Sequence, residues 1–199
     1  MRLSKRRAGS DTAPEKLVVG LGNPGAQYVS TRHNVGFLVL EELLRRHGLP
    51  RPARRYSGRL SVGRIGDQVV GLLAPRTMMN DSGRSVAAAL RGLGLRPVDV
   101  LVVHDHIDLP FGRLRVSHNG GHGGHNGLRS LHELIGADFD RVRVGVDRPP
   151  TTDPDKVAAY VLSPFSEPAA DVQRLIAAAA DAVEQWLSPG ESGGIAEAT

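Results

Sequence analysis

The sequence predicts an α/β fold, a single-domain sandwich in which helices flank a twisted, mixed β-sheet. Short apolar runs alternate along the chain with segments of helical periodicity. At 199 residues the chain has the size of one domain with a full core. Its 40% hydrophobic and 23% charged residues are the balance of a globular chain, not a disordered one.

The elements follow in order. Residues 16–21, KLVVGL, read as a buried strand. Residues 35–47 read as an amphipathic helix closed by Gly48 and Pro50. Residues 60–65 and 68–73 read as a hairpin around Gly66-Asp67. Asp81 or Ser82 is expected to cap a helix that runs through Leu93. Residues 98–103 and 113–117 are strands, 127–135 a helix and 141–146 a strand. A short helix over 154–162 and a long alanine-rich helix over 167–187 complete the set, with no internal repeat. The domain is thus residues 16–187. Residues 1–15, which are basic, and 188–199 are expected to be flexible ends.

Composition excludes several classes. There is no cysteine, hence no disulfide scaffold and no thiolate zinc site; this fits a reducing compartment, and a cytoplasmic location is expected. The basic start, MRLSKRRAGSDTAPEK, is not followed by the apolar stretch of a secretory signal. No run of eighteen apolar residues occurs, so neither a membrane span nor a membrane partner is expected. Residues 150–199 hold two basic and eight acidic residues, a net −6, which leaves +10 on the other 149 of a chain whose total is +4. Arg51, Arg54, Arg55, Arg59 and Arg64 cluster. A basic body suggests a polyanion partner such as nucleic acid; an Arg-rich solvated surface is the plainer reading. With only 4% aromatics, base-stacking platforms are not expected.

Gly20, Gly22 and Gly25 spell G-x-G-x-x-G. A dinucleotide site would need a helix opening on the third glycine and an acidic residue about twenty positions on. Pro24 and a polar stretch intervene instead, so a tight strand-exit turn is expected.

Four polar clusters sit at element ends, where α/β proteins place ligands. They are Asn23 to Asn34; Thr77-Met78-Met79-Asn80; His104-Asp105-His106-Ile107-Asp108-Leu109-Pro110, placed after the strand 98–103; and the glycine-rich run from Asn119 to Gly127 with His122, His125 and Asn126. Singly each has a structural explanation. Asn80 and Asn126 could cap helices, Asp105 could shape a turn, and the glycines could be a linker. A metallohydrolase site drawn from His104, His106, His122, His125, Asp105 and Asp108 is one rival reading.

Taken together, VGLGNPG with TRHNVGF, TMMN-x-SG, HD-x-x-DLP-x-G, GGHGGHNGLRS and RVRVGV resemble bacterial-type peptidyl-tRNA hydrolase over roughly residues 16–187. The resemblance implies a monomeric α/β domain with a twisted mixed sheet. It implies hydrolysis of the ester between a peptide and the 3′ ribose of tRNA, without metal or cofactor. It makes His33 the base that activates water and Asp105 the carboxylate that holds the imidazole in its basic tautomer. It makes Asn80 and Asn126 amides that contact substrate. Asn23 matches the residue that tells a blocked peptidyl nitrogen from a free one, and a fixed amide could do this by accepting from the peptide N–H. Tyr28 and Met78 match positions lining the tRNA end. His125 is expected in the substrate path without an assigned step, and Arg143 matches an arginine that grips a tRNA phosphate.

Three departures stand out. Met78 replaces a usual aromatic. Ser117 replaces a lysine that partners the phosphate-gripping arginine, so Arg115 or His118 would have to substitute. His106 stands where an acidic or polar residue is commoner. A non-catalytic RNA-binding relative of the same fold is the second rival.

Overall fold

The computed structural model describes residues 13–188, so almost all of both expected flexible ends lies outside the described residues. Its strands are β1 (Lys16–Gly20), β2 (Ala53–Arg55), β3 (Gly58–Ile65), β4 (Gln68–Pro75), β5 (Val100–His106), β6 (Leu114–His118) and β7 (Asp140–Gly145). Its helices are α1 (Val35–Arg46), α2 (Ser82–Leu93), α3 (Asn126–Ile135), α4 (Pro154–Val161) and α5 (Ala169–Leu187). The strands form one mixed sheet in the order β2-β3-β4-β1-β5-β7-β6. Strands β4, β1, β5 and β7 are parallel, while β2, β3 and β6 run antiparallel to their neighbours. Among the described residues, no helix is long and apolar enough to cross a membrane.

Strand alternation divides the core. Val18, Leu101 and Val103 face α1 and α5, and Leu17, Val19, Val100 and Val102 face α2 and α3. The central strands are buried on both faces, which is why they read as unbroken apolar runs.

The expected elements are all present, most within a few residues of their expected ends. Strand β2 went unseen because its three residues are all exposed and two are arginines, which leaves no apolar alternation to read. Strand β5 extends past Val103 to His106, so His104, Asp105 and His106 belong to the strand and not to a loop after it. The extension is held by parallel pairing of these three residues with Arg143, Val144 and Gly145. Neither Asp81 nor Ser82 caps α2 with a side chain; Asp81 occupies the N-cap position without that bond.

The glycines of the misleading motif serve packing. A Cβ on Gly20 would lie 2.3 Å from the Gly36 carbonyl oxygen, and one on Gly36 would lie 2.4 Å from Leu21 N and 2.5 Å from the Val103 oxygen. Helix α1 therefore rests on β1 and β5 backbone to backbone. Gly25 turns the chain at φ 123°.

Gly36→Ala should cost about 3 kcal/mol in denaturant unfolding, because the added methyl meets backbone that cannot step aside. A loss below about 0.5 kcal/mol, the size of an ordinary surface change, would show that α1 can lift away freely.

Candidate active site

The site forms where β1, β4 and β5 end. The turn Arg32–Asn34 enters α1, so the close seat of that helix sets His33 beside the end of β5. His33 Nδ1 lies 2.9 Å from Asp105 Oδ1, and His125 Nε2 lies 3.0 Å from the same oxygen. An ionised carboxylate only accepts, so both imidazole nitrogens carry the hydrogen. The lone pair of neutral His33 is then on Nε2. His125 Nδ1 accepts from Leu128 N at 3.3 Å, so this ring also caps α3. The cap expected of Asn126 is thus supplied by its neighbour.

Electrostatics follow from burial and these contacts. Burial pushes the His33 imidazole down, but the charge and hydrogen bond of Asp105 outweigh it, and the net pKa lies above the usual 6.5. Asp105 is fully buried, which opposes its ionisation; His33 and His125 overcome this and hold the carboxyl well below 3.8. His104 Nδ1 donates to the Asp105 carbonyl oxygen at 2.7 Å, leaving its Nε2 buried without a partner. Burial, then the neighbouring His125, keeps His104 neutral, far below 6.5.

Asn23 is fixed by three bonds. Its N donates to Asn34 Oδ1 at 2.8 Å, its carbonyl accepts from Asn34 Nδ2 at 2.9 Å, and its Oδ1 accepts from Met79 N at 2.8 Å. One lone pair of Oδ1 is therefore engaged and the other stays open, while Nδ2 makes no hydrogen bond among the described residues.

A cleft of about 480 Å³ joins these groups. Asn23, His33, Met78, Asn80, Asp105, His125 and Asn126 all line it, along with residues of α4. Tyr28 and Arg143 do not. Tyr28 ends a 3-10 turn, where its carbonyl oxygen accepts from Thr31 Oγ1. Arg143 lies on β7 directly opposite Arg115 of β6. Burial, then the charge of Arg115, lowers its pKa. Ser117 Oγ is buried without a partner, and His118 is held by Asp138 and Asp140, which leaves Arg115 as the cation beside Arg143.

The rival metal set is not assembled as the sequence suggested. Asp108 pairs with Arg148, His122 Nδ1 accepts from Gly124 N, and His104 is tied to the backbone. A different trio, His33, Asp105 and His125, has donor atoms within 4.8 Å of one another, and the hydrogen bonds among them account for that closeness.

Three residues act by positioning; Asn34 was singled out in the first cluster, whereas Arg32 and Arg141 were missed in sequence. Asn34 locks Asn23. Buried Arg32 donates to Ser163 Oγ, the Pro164 carbonyl and Ser166 Oγ, pairs with Glu167, and stacks 4.2 Å from the centre of the Tyr160 ring. Arg141 donates to the carbonyls of Gly120 and Gly121 and so pins the glycine loop; burial, then Arg143, pulls its pKa down to about 10. Arg32 and Asn34 sit inside TRHN, so the motif itself was their signal.

In a histidine NMR titration, His33 should titrate above 6.5. Asp105→Asn should move it downward, because the raising charge goes and burial stays. An unmoved His33 would separate the two groups electrostatically.

A family model for peptidyl-tRNA hydrolase matches residues 17–198. A peptidyl-tRNA hydrolase of Paracoccus denitrificans is 51% identical over 152 residues, covering 76% of this chain and 64% of that protein. One of Geobacter sulfurreducens is 49% identical over 177 residues, covering 88% and 90% respectively. The matches thus span slightly under two thirds of some relatives and nearly the whole of others. The crystal structure of peptidyl-tRNA hydrolase from Acinetobacter baumannii superposes with a TM-score of 0.77 at 37% identity, covering 89% of this chain and 88% of that one. By sequence and by fold, this chain belongs to the peptidyl-tRNA hydrolase family.

Proposed function

We propose that this chain hydrolyses the ester joining a peptide, or an N-blocked aminoacyl group, to the 3′ end of tRNA, releasing tRNA for reuse in translation. One observation carries the reading: a single Asp105 oxygen accepts from both His33 and His125, which leaves the His33 Nε2 lone pair free at a cleft lined by three asparagines. The protein acts as a cytoplasmic monomer and needs neither metal nor cofactor.

His33 Nε2 takes a proton from water, and the resulting hydroxide attacks the ester carbonyl. Asn80 and Asn126 supply amide donors to the water and to the developing oxyanion. Collapse of the tetrahedral intermediate expels the ribose 3′-oxygen, which takes the proton back from the imidazolium. Asp105 holds the Nδ1–H tautomer of His33 and stabilises the cation. His125 is a positioning residue, since both its nitrogens are committed to holding Asp105 and starting α3. Met78, flexible and 48% exposed, packs against the tRNA end. Arg143, with Arg115 in place of the missing lysine, contacts a tRNA phosphate.

Discrimination falls to Asn23. Met79 N takes one lone pair of its Oδ1 and so orients the amide, and Nδ2 is left to donate. A blocked nitrogen carries an acyl carbonyl that accepts this bond. A free aminoacyl group brings only an ammonium, which leaves the donor unpaired.

The test is release of tRNA from N-acetyl-aminoacyl-tRNA. His33→Ala should lower turnover at least about a hundredfold while tRNA binding persists. Chelation should leave the rate intact. Near-normal turnover by a folded His33→Ala protein would overturn the assignment, and loss on chelation restored by zinc would favour the metallohydrolase. Binding of tRNA with no release even by wild type would favour the non-catalytic relative.

Asn23→Asp keeps the acceptor for Met79 N and replaces the donor with a charged acceptor. The ratio of N-acetyl-aminoacyl-tRNA to aminoacyl-tRNA hydrolysis should shrink. An equal loss on both substrates would leave Asn23 a turn residue.

A further inference from the structure

The proposed reaction makes no use of the arginine cluster noted in the sequence. A second cavity, about 680 Å³, lies between α1 and the β2-β3-β4 edge. His33 and Asp105 do not line it. Arg51, Arg54, Arg59 and Arg76 do, and all four are exposed. None of the four has an ion pair or a side-chain hydrogen bond among the described residues. Other arginines are paired: Arg45 and Arg46 hold Glu42, Arg84 holds Asp81, and Arg148 holds Asp108. Among the described lining residues Glu41 is the one acid. Arg54 and Arg59 are direct cross-strand partners, an arrangement of like charges that costs stability. Leu60 faces the α2 layer, so strand alternation turns Arg59, and Arg54 opposite it, toward the α1 side where the groove lies.

We infer that this groove binds the phosphate backbone of a second RNA helix, distinct from the tRNA whose 3′ end occupies the cleft. The inference rests on the proposed reading of the cleft. With the ester at His33 and a tRNA phosphate on Arg143, the acceptor arm enters from the β6–β7 edge. Arg59 and Arg54 lie four and five strand spacings from β7, on the far side of the cleft, about 20 Å away at the usual spacing. The arm of the bound tRNA therefore runs away from the groove. Exposed charges contribute little singly, so four unpaired cations call for a partner that presents anions in succession, and RNA presents one at every nucleotide. Phosphates between Arg54 and Arg59 relieve their repulsion, and the guanidinium fork matches phosphate oxygens. The apolar wall gives a protein partner little to hold: Leu40 and Leu72 are buried in the core, and Leu38 and Leu44 pack against it. Phe37, the one aromatic in the lining, lies against Gly22, where a Cβ would meet its ring at 2.8 Å. Contact is thus with the backbone and indifferent to base sequence.

The probe is a short, blunt RNA hairpin with a fluorescent 5′ end, which offers the cleft neither a single-stranded 3′ end nor a 5′-phosphate. Fluorescence anisotropy reads its binding across a salt series. Wild type should bind it. The double variant Arg54→Ala/Arg59→Ala should weaken that binding about tenfold, the effect of two exposed ion pairs. Its salt slope should fall by about two phosphate contacts. The same variant should leave KM for N-acetyl-alanyl-tRNA unchanged, whereas Arg143→Ala should raise that KM and leave hairpin binding unchanged. Arg54 and Arg59 are exposed and mutually repulsive, so the double variant should fold. A wild type that does not bind the hairpin would overturn the inference. So would a double variant that loses hairpin and tRNA equally, which would give the groove to the substrate. A poly-glutamate peptide bound more tightly than the hairpin would give it to an acidic protein and overturn the inference too. The hairpin measurement involves no ester. Should no tRNA be released at all, tRNA affinity replaces KM in the same comparison, with the same outcomes.

Discussion

The contact between Gly20 and Gly36 lets helix α1 lie on strand β1 with no side chain between them, and the chemistry is placed by that contact. His33 precedes α1 by two residues, and Asp105 follows Val103 of β5 by two. Gly36 rests over Leu21 and Val103, so one close approach fixes both ends of the His33–Asp105 bond. The remaining supports act on this pair from outside. His125 enters from the start of α3, Asn34 locks Asn23, and Arg32 ties the entry turn to the segment after α4. Strand ends of a parallel sheet suit this arrangement, because each parallel strand delivers its last residues to the same edge.

Charge is arranged around that centre in two separate bodies. The β6–β7 edge carries Arg115 opposite Arg143, and the β2–β3 edge carries Arg54 opposite Arg59. Cross-strand arginine pairs are unfavourable in a free protein. They stand at the two edges of one sheet, and the cleft lies between them. Acidic residues meet other partners: Glu42 and Glu184 bind Arg46 on the helical layer, and Asp140, at the start of β7, holds His118 and Trp186.

The fold was legible because its central strands are buried on both faces, and apolar runs such as LVV and VLVV survive any reading frame of alternation. Strand β2 was not legible, since three exposed residues carry no pattern. The end of β5 was misplaced for a related reason. His104 and Asp105 look like loop residues, and only pairing with β7, some forty residues away in sequence, makes them strand. The candidate site was legible as a set of motifs, but its wiring was not. Sequence placed Asn126 as a possible cap, whereas His125 has that position. It gave no sign that a backbone N–H from a distant turn orients the Asn23 side chain through its oxygen. Long-range hydrogen bonds of this kind leave no trace in spacing.

The shared Asp105 oxygen also links protonation to folding. A histidine whose pKa is raised by the fold adds stability in its charged form. That contribution is complete below the unfolded value near 6.5 and is lost as pH rises through the higher folded value. Asp105, depressed by the fold, contributes above its unfolded value near 3.8 and loses that contribution as pH falls toward its lower folded value. The two windows overlap in mildly acidic solution, where His33 is a cation and cannot act as a base. His104 works the other way: buried and neutral beside the same carboxylate's backbone, with its pKa lowered, it withdraws stability as pH falls below the unfolded value near 6.5. Each rise in pH that frees the His33 imidazole nonetheless surrenders part of the attraction to Asp105 that keeps α1 seated on the sheet.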